Sequence, residues 1–135
     1  MANTFRLSII TPFGRYLEGD AEFLEVRNDT YSMGILPNHA PLISTVSIGK
    51  VRIRTSAGEY LYACGGGVIE VEKEKVTLIL NSIERSDEID IERAKAAKER
   101  AQNRLEQMLD ASIDVARAKA ALLRAAVRIE VSESK

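Results

Sequence analysis

The residues best placed to do chemistry are arginines in the last third of the chain. Asp90, Arg93 and Arg100 stand at i, i+3 and i+10, which puts all three near one face if the segment is helical. Arg124 and Arg128 form an i, i+4 pair further on. If two helices fold against each other here, four guanidinium groups converge near Asp90. Such a cluster suits a polyanion, because each planar fork can donate two hydrogen bonds to phosphate oxygens. The same spacing also fits a solvated helix face. Glu92, Glu99 and Glu106 lie among these arginines and can neutralise them in ordinary ion pairs, so spacing alone does not separate the two readings.

Elsewhere the chemistry is thin. The single histidine, His39, sits in a loop between Pro37 and Pro41, where a hydrogen-bonded loop histidine is the plainer reading than a Ser-His-Asp site. An enzyme built on His39 and Cys64 lacks any third group to orient them. Gly65-Gly66-Gly67 is not followed by Lys-Ser or Lys-Thr, and a strand rather than a helix comes next. A strand bulge or tight bend is therefore expected there instead of a phosphate loop. No catalytic residue and no metal ligand is assigned.

These arginines need elements to hold them, and the chain divides into two parts. Every Gly, Pro, Phe and Tyr lies before Ser86, and none occurs from Asp87 to the end. The first part reads as short strands whose spacing favours an antiparallel sandwich or barrel over a parallel sheet. Phe5, Leu7 and Ile9 alternate with Arg6 and Ser8, so that one face is buried and one is wet. Val51 and Ile53 alternate with Arg52 and Arg54, turn through Ser56-Ala57-Gly58-Glu59 and return through Tyr60-Leu61-Tyr62. A second hairpin runs from 68–71 through Glu72-Lys73-Glu74 into 76–80. The second part is rich in Ala, Lys, Arg and Glu and reads as two helices. Their expected facing stripes are Ala94, Ala97, Ala101, Leu105 and Met108, and Ala116, Ala120, Leu123 and Val127. Asp110-Ala111-Ser112 supplies a turn between them, or a continuation of helix. Alanine stripes bury little area, at about 25 cal/mol per Å², so a weakly held pair that opens and closes is expected.

Composition narrows the function. The chain is 135 residues long, 45% hydrophobic and 29% charged, with a formal net charge of −1. No single-sign field is available for nucleic acid or an anionic bilayer. One cysteine allows no internal disulfide, which fits a reducing compartment. No apolar run approaches the roughly 18 residues needed to span a bilayer, so direct membrane insertion is not expected. An adaptor whose helices form a coiled coil with a partner is the competing reading, and it has no use for an Asp and two Arg residues on one face.

Gly34-Ile35-Leu36-Pro37-Asn38-His39-Ala40-Pro41-Leu42, followed by Gly49-Lys50-Val51 and by the strand start at Gly65-Gly66-Gly67-Val68, resembles the epsilon subunits of bacterial F-type ATP synthases, called delta in mitochondria. The resemblance covers nearly the whole chain. It implies an α+β protein in two parts: an antiparallel ten-stranded β-sandwich at residues 1–86 and a two-helix antiparallel hairpin, able to extend, at residues 87–135. It implies a rotor subunit that docks on gamma and the c-ring, peripheral on the cytoplasmic face of the cell membrane. The extended helices of such subunits reach the alpha and beta subunits and inhibit ATP hydrolysis. Arg117, Lys119, Arg124 and Arg128 would then meet acidic residues of a partner.

The resemblance also implies ATP as a regulatory ligand of the folded hairpin, with no cofactor required and no hydrolysis. Ile89-Asp90-Ile91-Glu92-Arg93-Ala94 matches the family's nucleotide motif of Ile or Leu, Asp, two variable residues, Arg and Ala. Glu84, Arg100, Arg124 and Arg128 carry over as further contacts, with Arg117 an alternative to one of the last two. The arginines would bind phosphates, Asp90 would orient Arg93 or accept from the nucleotide, and Glu84 would accept from the adenine amino group. Dependence on Mg²⁺ is left open by the sequence.

Overall fold

The computed structural model describes residues 3–106 and 115–133. Among the described residues there are eight strands: β1 Phe5–Thr11, β2 Gly14–Ala21, β3 Phe23–Arg27, β4 Ser32–Ile35, β5 Leu42–Thr55, β6 Gly58–Glu72, β7 Lys75–Leu80 and β8 Ile83–Arg85. Two helices follow, α1 Ile91–Glu106 and α2 Val115–Glu133. The hairpins fall where alternation and turn residues place them. Ser56 and Ala57 turn β5 into β6 with Thr55 opposite Gly58, so Gly58 and Glu59 belong to the returning strand. Lys73 and Glu74 turn β6 into β7, with Glu74 in the left-handed region at φ 67°.

The strands form one hydrogen-bonded path, β2-β1-β7-β6-β5-β3-β4, with β8 added to β6. The expected strand number, ten, becomes eight because β5 and β6 are long and each serves both layers. Their ladder pairs Leu42 to Val46 with Val71 to Gly67, skips Ser47 and Gly66, and resumes from Ile48 against Gly65. Up to the skip the ribbon neighbours β7, and beyond it the neighbours are β3 and β8. The path thus folds over on itself. The expectation of purely antiparallel pairing fails at one place, where β1 and β7 run parallel with Leu7 opposite Val76 and Ile9 opposite Leu78.

The bend read from Gly65-Gly66-Gly67 is real, and its physical reason is crowding. Gly66 has φ +88°, and a Cβ on Gly67 would lie 2.0 Å from the Ile79 carbonyl oxygen. Inward residues of both layers form one core: Leu7, Ile9, Ile69 and Leu78 from one side, Leu24, Ile35, Val51 and Ile53 from the other. Ser8, expected on the wet face, is buried, with its hydroxyl donating to Glu18 at 3.3 Å.

The helices stack outward from the sandwich in order. α2 packs on β5 and β6, and α1 packs on α2. Ala94 and Ala101 of α1 are buried as expected, with Ala97 and Leu105 half-buried, while Met108 and the Asp110-Ala111-Ser112 joint lie outside the described residues. Of the stripe expected on α2, Val127 is buried and Ala120 half-buried, but Ala116 is exposed and Leu123 is 48% exposed, and Ala118, Ala125 and Val131 are buried instead. α2 is the middle layer and must bury two faces, so a single-stripe reading misplaces its register. Val127 and Val131 pack with Ile89 and Ala63 into a small second core.

Candidate functional site

The start of α1 and the end of α2 meet over β8, which makes the helix pair antiparallel and leaves a cleft of about 430 Å³ between the three elements. Glu84, Glu88, Ile89, Asp90, Arg93, Ala94, Ala97, Arg100 and Arg128 line it. Seven of the eight residues expected at a nucleotide site therefore share one cleft. Arg124 stands apart, half-buried in a shallow groove against Ala63, Cys64, Gly65 and Ser82, with Arg128 lying between the two. Arg117 is exposed on α2 and does not line the cleft.

Each position has a local cause. Glu84 lies opposite Ala63 in the β6–β8 ladder, which turns it toward the helices. Its Oε1 accepts from Arg128 Nε at 2.6 Å. Ile89 is buried against Val127 and Val131, so the segment entering α1 is anchored by an apolar side chain. Asp90 is the N-cap of α1: its Oδ1 accepts from the backbone N–H of Arg93 at 3.1 Å, while its carbonyl accepts from Ala94 N at 3.0 Å. Asp90 thus orients Arg93 through the backbone rather than through the guanidinium.

Arg93, Ala97 and Arg100 follow at four and three residues, so the small Ala97 opens space between two guanidinium groups on one helix face. The local ion pairs that Glu92, Glu99 and Glu106 could supply to Arg93 and Arg100 are not made among the described residues. Among the described residues neither Arg93 nor Arg100 makes an ion pair. Both groups are exposed donors facing a cleft, available to an anion.

Sequence reasoning missed Glu88. Its carboxylate accepts from the Tyr16 hydroxyl on β2 and from the backbone N–H of Arg85 at 3.0 Å. A partner 72 residues away leaves no trace in local spacing. The Tyr16 phenol is pushed well above its usual range, first by burial and then by the hydrogen bond to Glu88, so it remains a donor at any ordinary pH. Tyr16 packs edge-on against the buried Tyr62, with ring centroids 6.3 Å apart. Nearby, Arg85 grips Asp87 with two bonds of 2.7 and 2.8 Å and lies over the Tyr60 ring. His39, by contrast, spends Nδ1 on the Ala40 carbonyl at 2.7 Å, the bonded-loop arrangement.

Comparison with known proteins places this geometry in a family. Residues 4–86 match the beta-sandwich domain of the ATP synthase delta/epsilon chain, and residues 87–133 match its long alpha-helix domain. The chain is 43% identical over 107 residues to the ATP synthase epsilon chain of Desulfitobacterium hafniense, spanning 79% of this chain and 81% of that one. It is 38% identical over 110 residues to the same-named chain of Halalkalibacterium halodurans, spanning 82% and 83%. In fold it is similar to a chain of the Euglena gracilis mitochondrial ATP synthase, with a TM-score of 0.82, 19% identity and coverage of 97% of this chain and 82% of that one. With both parts of the chain matched in order, and relatives alike over most of their own length, the chain belongs to the ATP synthase delta/epsilon chain family.

Proposed function

We propose that the chain is the epsilon subunit of a bacterial proton-translocating F-type ATP synthase, a central-stalk rotor component without catalysis of its own. Residues 1–86 dock on gamma and the c-ring, and residues 87–135 regulate. The helices inhibit ATP hydrolysis when extended toward the alpha and beta subunits, and ATP favours the folded hairpin. The subunit is held at the cytoplasmic face of the cell membrane by its partners. No described helix is long and apolar enough to cross a bilayer.

The observation that carries the nucleotide reading is the convergence of Arg93 and Arg100 from α1 with Arg128 from α2 on one cleft floored by Ala97. A triphosphate bound there touches both helices and so ties them together. Arg124 joins only through a change at its groove, and Mg²⁺ enters, if present, on the phosphates with water filling its octahedron. Linkage sets the scale. A ligand at a hundred times its dissociation constant adds about 2.7 kcal/mol to the state that binds it, comparable to what alanine contacts provide. Ligand binding here shifts a conformational equilibrium and needs no hydrolysis.

Calorimetric titration of the chain with ATP and with ADP tests this, repeated on Arg93→Ala and Arg100→Ala. Saturable binding of ATP that is lost in both variants is the expected result. A wild type that takes up no heat with ATP would sink the nucleotide reading and leave a subunit regulated by its partners alone.

A further inference from the structure

The five residues that join β8 to α1, 86–90, decide where α1 begins and therefore where Arg93 and Arg100 point. Three contacts hold this connector to the sandwich or to α2. Ser86 N–H donates to the Leu61 carbonyl at 3.0 Å, and Ile89 is buried in the second core with Val127 and Val131. Between them, the Glu88 carboxylate takes the Tyr16 hydroxyl and the Arg85 N–H, while Glu88 N–H closes a turn on the Arg85 carbonyl at 2.9 Å.

Tyr16 is held for this contact by the backbone. The β1–β2 ladder pairs Ile9 with Leu17 and then Ile10 with Arg15, leaving Tyr16 as the extra residue of a β-bulge. A bulge re-aims the side chain it carries. Here the ring is seated against Tyr62, itself 3% exposed in the main core, and the hydroxyl reaches the connector. The position of Glu88 is thereby tied to the main core of the sandwich.

We propose that Glu88, fixed by the bulged Tyr16, is a positioning residue that sets the start of α1 and keeps Arg93 and Arg100 facing Arg128 across the cleft. Two effects follow from the chemistry. The bond registers the helix, and it also holds the acidic side chain on Tyr16 and the Arg85 amide. Released, that carboxylate lies within a cleft lined by arginines and competes with phosphate for them. The consequence for ligand rests on the nucleotide reading above, whereas the registering of α1 does not.

The test uses the full chain with Tyr16→Phe, Glu88→Ala and Glu88→Gln. Tyr16→Phe removes one oxygen and keeps the ring, so it leaves the core packing in place. Loss of a hydrogen bond to a charged group should weaken ATP binding about tenfold or more in Tyr16→Phe, where the freed carboxylate also competes, and by less in Glu88→Ala, where the competing charge is removed with the bond. Glu88→Gln keeps an oxygen able to accept from both donors and should recover most of what Glu88→Ala loses, which a merely space-filling side chain would not explain. Amide exchange supplies a readout independent of nucleotide: in Tyr16→Phe the first turn of α1 should exchange faster while β5 and β6 stay protected. If Tyr16→Phe exchanges and binds as the wild type does, or Glu88→Gln is as impaired as Glu88→Ala, the proposal is overturned. Should the wild type bind no ATP, the nucleotide reading fails, and exchange in Tyr16→Phe alone decides whether Glu88 registers the helix.

Discussion

Arg128 Nε lies 2.6 Å from Glu84 Oε1, joining the last turns of α2 to the final strand of the sandwich. The two side chains are 29% and 35% exposed, which places the pair between a surface bridge and a buried one. Its second ion pair to the sandwich, Lys50 to Glu130 at 2.8 Å, is more open. α2 is thus held at its end by charge and along its side by Val127 and Val131.

A double-mutant cycle on Glu84→Ala and Arg128→Ala should return a coupling energy of about 1 kcal/mol by urea denaturation. Saturating ATP should reduce that coupling, because phosphate competes for the same guanidinium. Coupling that is unchanged by nucleotide would mean that Arg128 keeps its carboxylate partner and is not a phosphate ligand.

Asp90 has a role that owes nothing to nucleotide. Replacing it with Ala should cost about 1 kcal/mol in the stability of α1, and replacing it with Ser should cost only a few tenths, since Ser also caps. Thermal unfolding without ligand reads this directly. Equal losses in the two variants would contradict the cap. ATP titration of Asp90→Ser then isolates any direct contact between the carboxylate and the ligand.

Gly67→Ala should destabilise the sandwich by at least about 3 kcal/mol or prevent folding. Its Cβ would meet backbone, 2.0 Å from the Ile79 oxygen and 2.8 Å from the Leu80 Cα, and backbone cannot rotate aside. Gly19→Ala meets nothing within 4 Å and should change stability by no more than about 0.5 kcal/mol. Chemical denaturation of the pair measures the contrast, and similar values for both would refute it.

Burial pushes the Cys64 thiol up from 9.0 to about 11, against a weaker opposing effect of the Gly66 N–H that donates to its sulfur. Between those values the unfolded chain has lost the thiol proton and the folded chain keeps it. Stability is therefore complete below about pH 9 and falls as pH rises toward 11, by on the order of 2 kcal/mol from this group. Tyr16 and Tyr62, both raised mainly by burial, add to the loss in strong base. The slope of stability against pH in this window should be shallower in Cys64→Ala. Identical slopes would remove the thiol from the account.

What could be read from the sequence was whatever depends on near neighbours. Phe5, Leu7 and Ile9 announce a half-buried strand, and the alanine-rich run after Asp87 announces helix, because periods of two and 3.6 are local. Contacts between distant segments left no such mark. The parallel pairing of β1 with β7 and the Tyr16–Glu88 bond each join residues about seventy positions apart. α2 defeated a stripe reading for another reason: apolar residues occur nearly all round it, and only the layer on each side decides which are buried. Seven of the eight candidate site residues came together, yet Arg128 faces Glu84 and Arg124 lies on the neighbouring groove, a division that four-residue spacing cannot express.

The skip at Ser47 and Gly66 lets β5 and β6 pass unbroken from one layer to the other. The two layers are consequently joined by a paired ribbon as well as by loops. Torque applied to the layer of β1, β2 and β7 reaches the layer under α2 as shear along that ladder, a direction in which many backbone bonds share the load at once. A load between the two layers is therefore carried by the ladder itself and not by its connecting turns alone.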